Sequence, residues 1–173
     1  MAELQLVLPD ETYAEEIMAF RQEILLVKDE DAFAGCSGLE NCATFEAWLT
    51  LLQEYHTGIK GRVPSTAYLA IRTHDRKLVG MIDLRHHINH PILSVWGGHI
   101  GYSVRPNERG KGYAREMLRL QLQNCARRGI NRVLVTCSPS NIASEKTILA
   151  NGGVFDYDVE VDGEPVRRYW ISL

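Results

Sequence analysis

The segment VRPNERGKGYA, Val104 to Ala114, decides how this chain is read. It sets two glycines, Gly110 and Gly112, and two cations, Arg109 and Lys111, directly ahead of REMLRLQLQNCARR, which has the apolar spacing of an amphipathic helix. Glycine weakens a helix and like charges repel, so stability alone does not explain such an opening. A helix start does, however, present several unpartnered N–H groups and the positive end of a dipole. Glycines there let an anion lie against the main chain.

Three devices use that arrangement on phosphate. A P-loop needs G-x-x-x-x-G-K-[ST]. Counting back from Gly110-Lys111, its first glycine falls on Arg105, and Gly112 stands where Ser or Thr belongs, so this device fails twice. The dinucleotide pattern G-x-G-x-x-G is met only in its first half by Gly110-Lys111-Gly112-Tyr113-Ala114-Arg115. The third pattern, R/Q-x-x-G-x-G/A, is met in full by Arg109 to Ala114, directly after a strand ending in Val104-Arg105-Pro106. Gly110, Gly112, Tyr113 and Ala114 then supply backbone amides to a diphosphate, with Arg109 and Lys111 as counter-charges.

Working outward, HIGYSVR before the segment reads as a strand, and its helix ends near Gly129. RVLVTC is a short buried-type strand, and a helix over residues 142–150 stops near Gly152. VFDYDVE and VRRYWIS flank an Asp162-Gly163 turn as a hairpin. Upstream, ELQLVLP alternates like a strand. Tyr13, Ile17, Phe20 and Ile24 recur at helical spacing behind Asp10 and Thr12. Residues 28–42 read as an irregular acidic loop, and Thr44 caps a second helix with Phe45, Trp48, Leu52 and Tyr55 on one side, a stripe that suits a core. STAYLAIR and KLVGMIDLR form a hairpin around residues 73–76. The order is strand, two helices, three strands, helix, strand, helix, two strands. This is an α/β chain of the α+β type, with a mixed, mostly antiparallel central sheet and helices on both faces. Strand–helix–strand over residues 99–137 implies one parallel-type crossover.

The Arg109–Ala114 pattern, HIGYSVRP before it and NIASEKTILANGG after it resemble the GNAT acyl-CoA N-acetyltransferase superfamily, over about residues 65–153. The resemblance implies a GNAT-like fold and an acetyl-CoA-dependent N-acetyltransferase in which a primary amine attacks the thioester directly, without an acyl-enzyme. It also implies that the acyl-pantetheine chain lies between Tyr102-Ser103-Val104 and Val135–Cys137, that the N–H near Val104 polarises the thioester carbonyl, and that Asn141 touches the pantetheine arm. Helix capping is the plainer role for Asn141. Many members carry a tyrosine acid seven residues after this asparagine; here Ile148 stands there. Ser144, three after Asn141 as in the ribosomal-protein acetyltransferase branch of the family, is then a candidate to return a proton to the thiolate or to order a water, and water itself is the alternative donor. A non-catalytic acyl-CoA-binding module on the same fold is the second reading, and the missing tyrosine favours it.

The attacking amine must lose a proton. His99 is the first candidate base because histidine titrates near neutrality. Asp83 is the second, and Glu108 reads as solvated. His86, His87, His90 and His99 lack a partner at metal-site spacing, so no metal is expected. The histidine loop with Trp96, and the acidic loop with Asp29, Glu30, Asp31 and Glu40, are candidate walls of an acceptor pocket.

With 173 residues, 45% hydrophobic and 24% charged, the chain is expected to form one domain over residues 1–173. A formal charge of −3 gives no case for nucleic acid or an anionic membrane, and no apolar run approaches a bilayer span. The start MAELQLVLPDE has no secretory pattern, and Cys36, Cys42, Cys125 and Cys137 show no paired framework, which points to free thiols in the cytoplasm. The last hairpin, with Tyr169 and Trp170, either completes the sheet or pairs with a second subunit as a homodimer.

Overall fold

The computed structural model describes residues 3–29 and 31–173. Glu30, assigned above to the acidic loop, lies outside the described residues. Strands β1 (Leu4–Val7), β2 (Ser65–Arg72), β3 (Leu78–Arg85) and β4 (Ile100–Val104) form one antiparallel sheet in that order. β5 (Arg132–Cys137), β6 (Val154–Val161) and β7 (Glu164–Ser172) form a second, ordered β5-β7-β6. The helices are α1 (Ala14–Leu25), α2 (Phe45–Thr57), α3 (Tyr113–Arg127) and α4 (Ile142–Ala150). The element order is the one the sequence implies. One detail differs: among the described residues no ladder joins β4 to β5, and every pairing is antiparallel. The crossover brings the two strands together at one point and lets them diverge.

Local chemistry accounts for the helix limits. Asp10 accepts from the Thr12 N–H at 2.8 Å in the turn leading into α1. Thr44 accepts from the Ala47 N–H at 3.2 Å to start α2, which ends on the left-handed Gly58. The strands of the first sheet are apolar on both faces because both are covered. Leu69, Ile71 and Met81 meet Ile17, Phe20, Ile24 and Trp48 from α1 and α2. Ala70, Ile82 and Leu84 meet Met117, Leu118 and Leu122 from α3. Trp48 and Phe20 are fully buried, so truncating either to alanine should cost about 3–5 kcal/mol.

Buried Arg105, just past β4, ties the first sheet to α1. Its guanidinium forks onto Glu23 at 2.7 and 2.9 Å, reaches Glu16 at 2.9 Å and donates to the Leu78 carbonyl at 3.0 Å. That anchor fixes where the Pro106–Gly112 loop leaves the sheet. Another cation holds the histidine loop: Arg168, also buried, donates to the carbonyls of Ser94 and Val95. β7 lies between β5 and β6 with Tyr169 buried, so the last hairpin completes the second sheet. Among the described residues no helix is long and apolar enough to cross a membrane.

Candidate active site

The glycine turn takes the form its sequence requires of an anion site. Gly110 and Gly112 sit at φ +74° and +84°, in the left-handed region, and a Cβ on either would meet nothing within 4 Å. Gly112 is the N-cap of α3 and offers no side chain to cap it. Among the described residues, no acceptor meets the N–H groups of residues 110–115. The amides of the first turn, with the helix dipole behind them, open outward.

The neighbouring charges differ from the sequence reading. Arg109 pairs with Asp29 at 2.7 Å and donates to the Val104 carbonyl at 3.2 Å. Lys111 pairs with Glu108 at 2.8 Å. Neither cation is therefore an uncommitted counter-charge. Glu108 is not solvated; it is buried beneath the turn, where Arg72 at 3.0 Å and Lys77 at 2.8 Å join Lys111. Hydrogen bonds from Lys111 and Lys77 hold its carboxyl down to about 2. Arg72 also donates to the Tyr113 hydroxyl at 2.8 Å and pairs with Asp75. Three cations against two carboxylates leave the floor of the turn positive, which suits an incoming anion.

β4 and β5 form a fork whose closed end is His99. Its N–H donates to the Leu134 carbonyl at 2.8 Å, and its Nδ1 accepts from the Leu134 N–H at 2.9 Å. Burial pushes this imidazole down to about 4. A neutral ring whose Nδ1 accepts carries its proton on Nε2, so neither nitrogen has a lone pair to take a proton from an amine. With its Nδ1 engaged in this way, His99 is placed as the pin of the fork, a position that speaks against the role of base its residue type suggests. Beyond it the edge of β4 opens. The Arg105 N–H donates to the Val79 carbonyl of β3, so strand alternation turns the Val104 N–H toward the open edge.

The structure brings together three more of the sequence-derived residues on the α3–α4 side of that opening. The Tyr102 hydroxyl lies 2.7 Å from the Ser144 hydroxyl, and burial raises the phenol's pKa above its ordinary value. Asn141 caps α4, accepting from the Ser144 N–H at 3.1 Å. Cys137 is buried nearby, its thiol pushed up to about 11 by desolvation, which suits packing rather than nucleophilic work. Ile148 is fully buried in the core. Ser103 goes elsewhere: its hydroxyl donates to the Ala34 carbonyl at 2.6 Å, on the α1–α2 side.

On that side lies a cleft of about 700 Å³, lined by parts of the segments 33–41 and 90–93, by residues 60–63, and by Tyr55, Ser65, Asp83 and Arg85. Asp83 is buried, accepts from the Gly101 N–H at 2.8 Å and faces Arg85 at 3.4 Å. The loop over residues 34–40 is gripped by side chains. Trp48 donates to the Cys36 and Ser37 carbonyls, and Arg21 to those of Leu39 and Glu40. Of the four candidate histidines only His90 lines the cleft; His86 instead bonds Thr66 at 2.8 Å, and Trp96 is absent from the lining. Sequence reasoning did not single out Ser37 or Arg62, both of which line it. Among the described residues, no group of three or more metal-ligating side chains occurs.

An open helix start on one side of a strand fork and a cleft on the other make a transferase layout, in which a phosphorylated donor and an acceptor can meet at the edge of one strand. The acetyltransferase (GNAT) domain family matches residues 23–154, and this chain belongs to that family. It is a GNAT-type acetyltransferase, as its sequence implies. Among curated proteins, no sequence matches this chain. Solved structures share the fold at low identity. The ribosomal-protein-S5-alanine acetyltransferase from Vibrio fischeri is 17% identical, with a TM-score of 0.70, covering 99% of this chain and 94% of that one. RimL, a ribosomal L7/L12 alpha-N-protein acetyltransferase solved in complex with coenzyme A, is 20% identical, with a TM-score of 0.69, covering 98% and 94%. The microcin C7 self immunity acetyltransferase MccE, solved with acetyl-CoA and AMP, is 18% identical, with a TM-score of 0.69, covering 99% and 93%.

Proposed function

We propose that this chain moves an acetyl group from acetyl-CoA to a primary amine by direct attack in a ternary complex. The observation that carries the reading is the outward-facing set of amides at residues 110–115, beside a fork whose free edge presents the Val104 N–H. The pyrophosphate lies on the amides and the pantetheine arm enters the fork past Asn141. The amine nitrogen attacks the thioester carbon, forming the C–N bond, while the oxyanion is held by the Val104 N–H. The C–S bond then breaks. Ser144, hydrogen-bonded to Tyr102, returns a proton to the thiolate. The proton lost by the amine goes to Asp83, which faces the acceptor cleft.

The acceptor is a small molecule or a protein amine; the α-amine that RimL's name specifies is one example. Four buried free thiols fit a reducing cytoplasm, with acetyl-CoA and the amine as partners and neither nucleic acid nor membrane. The test is a thiol-release assay over a matrix of acetyl-CoA and amine concentrations. Intersecting double-reciprocal lines are expected. Parallel lines would indicate an acyl-enzyme, and CoA binding without release on any amine would make the chain a sensor module instead.

A further inference from the structure

The acceptor cleft carries more chemistry than a primary amine needs. Three cations, Lys60, Arg62 and Arg85, line it against two carboxylates, Glu40 and Asp83. Arg85 is committed, with Asp83 at 3.4 Å and the Gly97 carbonyl at 3.1 Å. Arg62 is not: its guanidinium stacks over the Tyr55 ring at 4.4 Å, and among the described residues no carboxylate pairs with it. A stacked guanidinium keeps its edge donors free for a carboxylate or phosphate. Asp83 lies deep in the same cleft, on the sheet, while Arg62 is at the exposed mouth.

A second, independent feature marks the cleft as a binding site. Ser37 is 8% exposed, lines the cleft, and its Oγ has no hydrogen-bond partner. It also sits at φ +50°, a left-handed conformation that costs a non-glycine residue energy. Buried hydroxyls are normally bonded, and a strained residue bearing an orphan one is a place where a ligand can supply the missing partner.

We propose that the acceptor is an amine that also bears an anionic group, with the ammonium held at Asp83, a polar group meeting Ser37, and a carboxylate or phosphate held by Arg62 with Lys60 beside it. This deepens the transferase reading above and rests on it. Lys60 pairs with Glu54 at 3.6 Å, so Arg62 is the cation left at the mouth to repel the several ammoniums of a polyamine, which disfavours that class of acceptor.

The experiment measures kcat/KM with acetyl-CoA for four kinds of acceptor: free α-amino acids and their amides, tripeptides with acidic or amidated N-terminal side chains, phosphoethanolamine, and spermidine. The wild type should prefer an anionic acceptor over its own amide or neutral counterpart by about ten-fold or more. Whether the preferred class is amino acid, peptide or phosphate identifies the source of the anion. Arg62→Ala should collapse that ratio to about one, and Arg62→Glu should invert it; general damage would lower both acceptors equally and leave the ratio intact. Spermidine turned over better than every anionic acceptor, or a ratio unmoved in Arg62→Glu, overturns the inference while the acetyltransferase reading stands. Absence of CoA release with all four kinds overturns both.

Discussion

Two loops of this molecule use glycine for opposite reasons. At Gly110 and Gly112 a side chain would meet nothing within 4 Å. At Gly35 a Cβ would stand 2.2 Å from the Gly101 carbonyl oxygen of β4, closer than any real contact. The first loop leaves its space empty, which the proposed diphosphate site would use. The second removes space so that the acceptor loop can lie flat on a strand. Both have positive φ, so backbone conformation does not separate them. What separates them is what the missing side chain would touch, although open space alone does not make a site: Gly129, past the end of α3, and Gly163, in the last hairpin, would meet nothing either.

The sharpest way to test the division is to fill the empty space. Gly112→Glu puts a carboxylate where the diphosphate is proposed to lie and turns the local potential against it. CoA affinity by calorimetry should fall more than about 100-fold, the loss of two or more charge-assisted hydrogen bonds plus a like-charge clash. The strain of a non-glycine residue at φ +84° is about 1 kcal/mol, so the melting temperature should drop by only about 2–4 °C. Near-normal affinity in a folded variant would move the donor site away from this turn.

Filling the occupied space should do the reverse. Gly35→Ala combines a backbone clash with a left-handed alanine and is expected to cost about 3 kcal/mol in urea denaturation. CoA affinity should change far less, because the clash lies on the opposite face of the sheet from the Tyr102–Ser144 pair. A variant as stable as the parent would mean that the acceptor loop is not pressed onto β4 as described.

The same contrast explains what could be read before the structure. A diphosphate turn is local: six consecutive residues, Arg109 to Ala114, carry the glycines and the helix start of the proposed donor site, so the pattern could be read from sequence, whereas the pairing of Arg109 with Asp29 could not. The strand and helix order was legible because nearly every element carries its own periodicity and punctuation. The acceptor cleft draws on several separate segments, from Phe33 to Leu93, and no local pattern ties Ser37 to Arg62 or to Asp83. Glu108 was misjudged for a similar reason. Two of the three cations that surround it, Arg72 and Lys77, come from the preceding hairpin and cannot be seen from its own loop. For His99 residue type gives only an ordinary titration range, whereas burial, invisible in its own segment, lowers it.

The fork itself gives the smallest and most specific effect. His99 at its closed end titrates at about 4 when folded, against about 6.5 in an unfolded chain. A histidine whose folded value is depressed contributes stability that is present above the unfolded value and is lost as pH falls toward the folded one. Between pH 7 and 5 this should remove about 2 kcal/mol. His86, held down to about 4 chiefly by burial, adds a loss of the same sign. His99→Gln removes the titration but not His86's, so its stability should fall about 2 kcal/mol less than that of the parent over the same interval in denaturant midpoints. The acidic limb of its pH–rate profile, where a general base reports, should stay where the parent's is, because in the proposed reaction no proton passes through this ring. If that limb moved by a full pH unit while the stability curves of variant and parent ran parallel, His99 would be restored as the base, and the closed end of the fork would need another pin.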